Sequence, residues 1–140
     1  MGVIAKFRVK LTMPNKISTN FLTRLLYKHL SKIDNLRSDY GKILVIKVGD
    51  EVKIVYKENN KRTNYRIHCL VSARIVENKS SKKSNTKDFI VDVASFEIYT
   101  KSPLKKDILE NTGLFFLGVV LWKLKVIATA NLGSFRIQKL

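Results

Sequence analysis

The chain holds one cysteine, two histidines and 11 acidic residues among 140. Cys69, alone, forms no intramolecular disulfide and no thiolate zinc site, and it suits a reducing compartment, the cytoplasm. So few acids and histidines leave little from which to build a catalytic or metal centre. No glycine-rich phosphate loop, paired-histidine metal motif or serine nucleophile elbow is present. The expectation is a protein that is not an enzyme and takes no cofactor or metal. Met1–Met13 lacks the continuous apolar stretch of a signal peptide. Long apolar runs are scarce as well: the longest ends near Trp122, where Lys123 and Lys125 follow. Counted that way it falls short of the roughly 18 to 20 residues of a membrane span, and none is expected.

Positive charge is plentiful. Lys and Arg number 27, for a formal net charge of +16. Such a field attracts nucleic acid, an anionic surface or an acidic protein segment, although abundant Lys, Asn and Ile also fit an AT-rich coding bias. At 45% hydrophobic residues the chain has too much apolar surface for a disordered basic tail. Residues 1–140 read as a single domain.

Val3, Ala5, Phe7, Val9, Leu11 and Met13 alternate with Lys6, Arg8, Lys10 and Thr12, which predicts a half-buried strand ended by Pro14. Phe21, Leu22, Leu25, Leu26, His29, Leu30 and Ile33 recur at helical spacing behind Ser18, Thr19 and Asn20 as N-cap candidates. Strands follow at Lys42–Val48 and Val52–Lys57 around a Gly49-Asp50 turn, with a second turn at Glu58–Lys61. In Asn64–Glu77, Tyr65, Ile67, Cys69, Val71, Ala73 and Ile75 share one face and Arg66, His68, Ser72 and Arg74 the other, interrupted by Leu70, which puts Cys69 in the core and His68 on the polar face. Asn78–Lys87 reads as a solvated hairpin tip. In Asp88–Thr100 the apolar parity changes between Val93 and Phe96. A β-bulge near Ala94-Ser95 would restore one interior. A short helical turn is expected at Leu104–Glu110. A helix follows from about Leu114 to Ala130, capped by Asn111-Thr112 and ended by Gly133, with Phe135–Ile137 as an extended tail.

The second half carries a family likeness. Tyr65–Val76, then Asp88–Ile98 with its kink, then Asn111-Thr112-Gly113-Leu114-Phe115-Phe116-Leu117 and Asn131-Leu132-Gly133-Ser134-Phe135-Arg136-Ile137 together resemble the SecB family of export chaperones. That family includes the SecB-like chaperones of toxin–antitoxin–chaperone systems. The likeness covers roughly Val52 to Ile137. It implies an α+β fold: a SecB-like four-stranded antiparallel sheet with a long C-terminal helix, here with an additional N-terminal amphipathic helix. It also implies a molecular chaperone without cofactors that binds unfolded or aggregation-prone polypeptide through apolar grooves. The family's export chaperone is acidic, so the basic charge here points toward a dedicated client such as an antitoxin.

Within that reading Phe96, Ile98, Phe115, Phe116 and Trp122 are the candidate client-binding residues. Aromatic side chains offer much contact area for little entropy, and they cluster in this stretch. Taken singly, each reads first as a residue of the protein's own core. The final helix is apolar on more than one side, which predicts a homo-oligomer, a dimer or tetramer. The alternative reading is a basic nucleic-acid-binding protein in which Lys6, Arg8 and Lys10, with Arg66 and Arg74, line a phosphate track. A third is a structural subunit held in a larger complex by the apolar helix.

Overall fold

Alternation along β1 (Gly2–Pro14) gives a long strand with one face in the core, paired with a neighbour on each side. The computed structural model of the chain describes residues 2–33, 41–62, 64–79, 85–101 and 105–138. After β1 come α1 (Thr19–Leu30), β2 (Gly41–Val48), β3 (Glu51–Asn60), β4 (Tyr65–Asn78), β5 (Thr86–Lys101), α2 (Lys105–Ala130) and β6 (Ser134–Gln138). The strands form one antiparallel sheet in the order β2-β3-β4-β5-β1-β6. The four-stranded sheet implied by the family likeness is therefore corrected to six strands. β2 to β5 form a meander. β1 adds to the edge of β5, and the tail expected to be merely extended adds to β1, with Phe135 opposite Leu11.

Both helices pack on one face of this sheet: α1 on β2, β3 and β4, α2 on β1, β4, β5 and β6, and each on the other. The interior between them holds Val9, Leu11 and Met13 of β1, Ile54 and Tyr56 of β3, Ile67 to Ile75 at alternate positions of β4, and Phe89, Val91 and Val93 of β5. Leu22, Leu26 and Leu30 of α1 and Phe116, Leu117, Val120, Leu124 and Ile127 of α2 close it. Ser18 caps α1: its Oγ accepts the Phe21 N–H at 3.0 Å. Gly49 takes φ +60° in the β2–β3 turn, the left-handed conformation that favours glycine there.

Several local expectations are overturned. No bulge occurs at Ala94-Ser95. Register runs unbroken there, and the irregularities lie between Val3 and Ala5 of β1 and opposite His68/Cys69, where Ile98 is the extra residue of β5. The bulge at Ile4 returns Val3 to the face carrying Lys6, so Val3 is not part of the interior row that starts at Ala5. β3 continues through Asn60, because Glu58 and Asn59 still pair with Ile67 and Arg66. α2 is continuous from Lys105, so Asn111-Thr112 lie within it and cap nothing. Its C-terminus is a Schellman motif: Gly133 N–H donates to Ala128 O at 2.8 Å, and Leu132 N–H to Thr129 O at 3.3 Å. Leu132, and not Gly133, takes the left-handed backbone, at φ +60°. Gly133 is required for close approach, since a Cβ there would strike Met13 Sδ and lie 2.7 Å from Thr12 O.

Counted through its two lysines, Asn111–Ala130 is 20 residues of mean hydropathy 1.7, long and apolar enough by length and composition to cross a membrane. Here it lies along the sheet with one side in the core. The expected hairpin tip and the connector after α1 fall largely on residues 80–84 and 34–40, outside the described residues.

Candidate polypeptide-binding face

No described element packs on the other face of the sheet. Side chains of alternate residues point there, and the register aligns them in rows across the strands. In one row Leu44 of β2 stands opposite Val55, Val55 opposite Leu70, Leu70 opposite Phe96 and Phe96 opposite Val3. Five strands thus contribute one apolar side chain each, and at strand spacing the row is about 19 Å long. Leu44 and Val3 at its ends are exposed, while Val55, Leu70 and Phe96 are half-buried.

The rows on either side of this one are mostly polar. Toward one end of β4 the next row is Lys42, Lys57, His68 and Tyr99, and beyond it Asn59 and Arg66. A cleft of about 280 Å³ opens here, lined by Lys57, Glu58, Asn59, Arg66, His68 and Tyr99, with Ile67 behind. The Arg66 guanidinium carbon lies 5.7 Å from the centre of the Tyr99 ring. Burial, and then the charge of Lys57, hold the His68 imidazole below its ordinary pKa. Toward the other end the rows are Ile46, Lys53, Ser72, Ala94 and Lys6, then Glu51, Arg74, Asp92 and Arg8. A second cleft of about 400 Å³ lies among them and reaches Phe96.

The five cations expected to line a phosphate track do share this face. Three of them are matched to carboxylates. Arg8 donates from Nε to Asp92 Oδ1 at 2.7 Å and from Nη2 to Oδ2 at 3.3 Å. Lys10 lies 3.3 Å from Asp88, and Arg74 lies 3.5 Å from Asp50. Arg66 stacks on Tyr99, and Lys6 lines the second cleft.

The five expected client anchors are not brought together. Phe96 belongs to the apolar row, and Ile98, 38% exposed, sits in the bulge beside it. Phe115 and Trp122 are 48% and 55% exposed on the opposite side of the molecule, on the stripe of α2 that also carries Leu114 and Gly118. Lys123 Nζ lies 4.2 Å from the Trp122 ring centre. Phe116 is core: it is 2% exposed and packs on Tyr56 at 4.8 Å and on Phe115 at 5.3 Å between ring centres. A single floor built of sheet and helix is thereby corrected, because the helices cover the face that Phe96 does not use.

Val55 and Leu70, at the middle of the row, were not among the expected anchors. The signal for Leu70 was present in the sequence as an apolar break in the polar parity of β4, as is Val76 further along. Its meaning depends on register with Val55 and Phe96, which alternation within a single strand does not reveal. Among the described residues no group of three or more His, Cys, Asp or Glu is placed to hold a metal ion. Compared with known proteins, the chain matches no protein-family model and no curated sequence.

Proposed function

We propose that this chain is a SecB-like polypeptide-binding chaperone that holds apolar segments of an unfolded client, such as a dedicated antitoxin, against the uncovered face of its sheet. The observation that carries this reading is the row Leu44–Val55–Leu70–Phe96–Val3. A continuous apolar row on a solvent-facing sheet is the kind of surface by which soluble domains take up other chains. Binding of this sort needs no cofactor and no catalytic group. The second apolar surface, Leu114, Phe115 and Trp122 on α2, lies apart from it and is where the homo-oligomer is proposed to form. The phosphate-track alternative is less well supported, since Asp92, Asp88 and Asp50 already engage three of its five cations.

Suppression of aggregation of a denatured client, compared among the parent, Leu70→Ser and Phe96→Ser, tests the proposal. Both side chains are half-buried on a face that no element among the described residues covers, so circular dichroism should stay native while protection is lost. Folded variants that protect as well as the parent would overturn it.

A further inference from the structure

The clefts beside the apolar row are not alike. The smaller one gathers Lys57, Arg66 and His68 from neighbouring strands β3 and β4, with the Tyr99 ring of β5 as its wall. Among the described residues no ion pair takes up Lys57 or Arg66. The one acid in the lining, Glu58, pairs in register with buried Ile67 and accepts a hydrogen bond from Tyr56, whose side chain is in the core. In the larger cleft Glu51 and Asp92 accompany Lys6, Arg8 and Arg74, so its charge is mixed. The difference lies in pairing: Arg8 and Arg74 of the larger cleft are engaged by Asp92 and Asp50, while Lys57 and Arg66 of the smaller stand outside the described ion pairs. Along β4, Leu70 of the row is two residues from His68 and four from Arg66, about 7 and 14 Å at the rise of an extended strand.

We infer that the occupant of this face is an acidic–apolar polypeptide segment, bound with an apolar side chain over Leu70 and Phe96 and a carboxylate in the Lys57–Arg66–His68 cleft. The inference rests on the polypeptide-binding reading above and names the class of client that reading leaves open. An extended segment repeats its side-chain direction every second residue, at about the spacing of the rows beneath it. The matching client pattern is an apolar residue with Asp or Glu two or four positions away on one side. Charge complementarity selects this sign: the cleft offers a guanidinium, an ammonium and an imidazole, and a basic segment would meet like charges there. The same cations explain how a carboxylate is held without immobilising a long side chain of its own, because Arg66 is already laid on Tyr99.

Three fluorescent peptides that share one set of apolar residues and carry Glu, Gln or Lys at the flanking positions provide the test. Anisotropy is measured near physiological salt with the full chain, its Lys57→Glu/Arg66→Glu variant and its Leu70→Ser variant. The Glu peptide should bind about tenfold more tightly than the Gln peptide, and the Lys peptide more weakly still. The Lys57→Glu/Arg66→Glu variant should lose that preference and keep the affinity of the parent for the Gln peptide. Leu70→Ser should weaken all three. By nuclear magnetic resonance the imidazole of His68, which faces Lys57, Arg66 and Tyr99, should titrate at higher pH with the Glu peptide bound and not with the Gln peptide. Equal affinity for Glu and Gln peptides overturns the inference while leaving the polypeptide-binding reading in place. Binding of none of the peptides overturns both. Displacement of the Glu peptide by a single-stranded oligonucleotide that binds more tightly, and that also depends on Lys57 and Arg66, overturns the inference in favour of a polyphosphate ligand.

Discussion

A Cβ on Gly113 of α2 would lie 2.6 Å from Cδ1 of Ile4, the residue that the bulge in β1 turns inward. The same Cβ would lie 2.7 Å from Oγ of Ser95, a fully buried hydroxyl of β5. A glycine in a helix interior ordinarily weakens the helix; at this position it lets α2 lie directly on the bulge.

Gly113→Ala should therefore destabilise the fold despite its gain in helix propensity. Overpacking costs about 1–3 kcal/mol and the propensity gain returns about 1 kcal/mol, so a net loss is expected. Urea denaturation reads it directly. Adding Ile4→Ala to Gly113→Ala should recover part of the loss, and an unchanged midpoint in the single variant would show that Ile4 yields freely.

Phe116 and Trp122 are both aromatic residues of one helix, and their substitutions should part company. Phe116→Ala empties a buried site between Tyr56 and Phe115 and should cost about 3–5 kcal/mol. Trp122→Ser removes a ring that is 55% exposed and should leave the denaturation midpoint of the monomer near that of the parent. By light scattering, Trp122→Ser should dissociate the oligomer. A parent chain that scatters as a monomer at micromolar concentration would remove the oligomer proposal.

Leu132 holds a left-handed backbone conformation at the end of α2 with its side chain almost fully exposed. A non-glycine residue pays about 1–2 kcal/mol there, part of which is offset by the freedom a glycine has when unfolded. Leu132→Gly should stabilise the chain by about 0.5–1 kcal/mol, seen as a higher thermal midpoint. A lower midpoint would mean that the leucine makes contacts worth more than its backbone strain.

Acid should weaken the fold before the carboxylates titrate. Burial lowers the pKa of His29, with Lys123, Lys32 and Lys28 adding to it, and burial and Lys57 lower that of His68. Unfolded histidine takes its proton near pH 6.5, so just below that the unfolded chain binds more protons than the folded one. Stability should then fall as pH drops through 6.5 toward the lower folded pKa values. Thermal melts between pH 7.5 and 5.5 should show this, with a smaller drop in His29→Gln. A flat profile would contradict it. Cys69 offers an independent check on burial. Its thiol is pushed up to about 12 by desolvation, so alkylation at neutral pH should wait for unfolding.

Alternation within single strands made much of this molecule legible. Val9, Leu11 and Met13, and Ile67 through Ile75, are interior as their parity predicts, and Ser18 opens α1 as its type and place predict. Periodicity of this kind is a local property: one buried face fixes which side each neighbour takes. The bulges at Ile4 and Ile98, the continuity of α2 and the pairing of the tail with β1 depend on partners distant in sequence, and local pattern does not report them. The candidate site belongs to the same class. Leu44, Val55, Leu70, Phe96 and Val3 come from five strands, and only register makes them neighbours. Composition determined that the chain is basic and has apolar surface enough to fold; the tertiary structure decided that Lys57, Arg66 and His68 meet in one cleft beside an apolar row, because cross-strand pairing sets distances that no sequence spacing encodes.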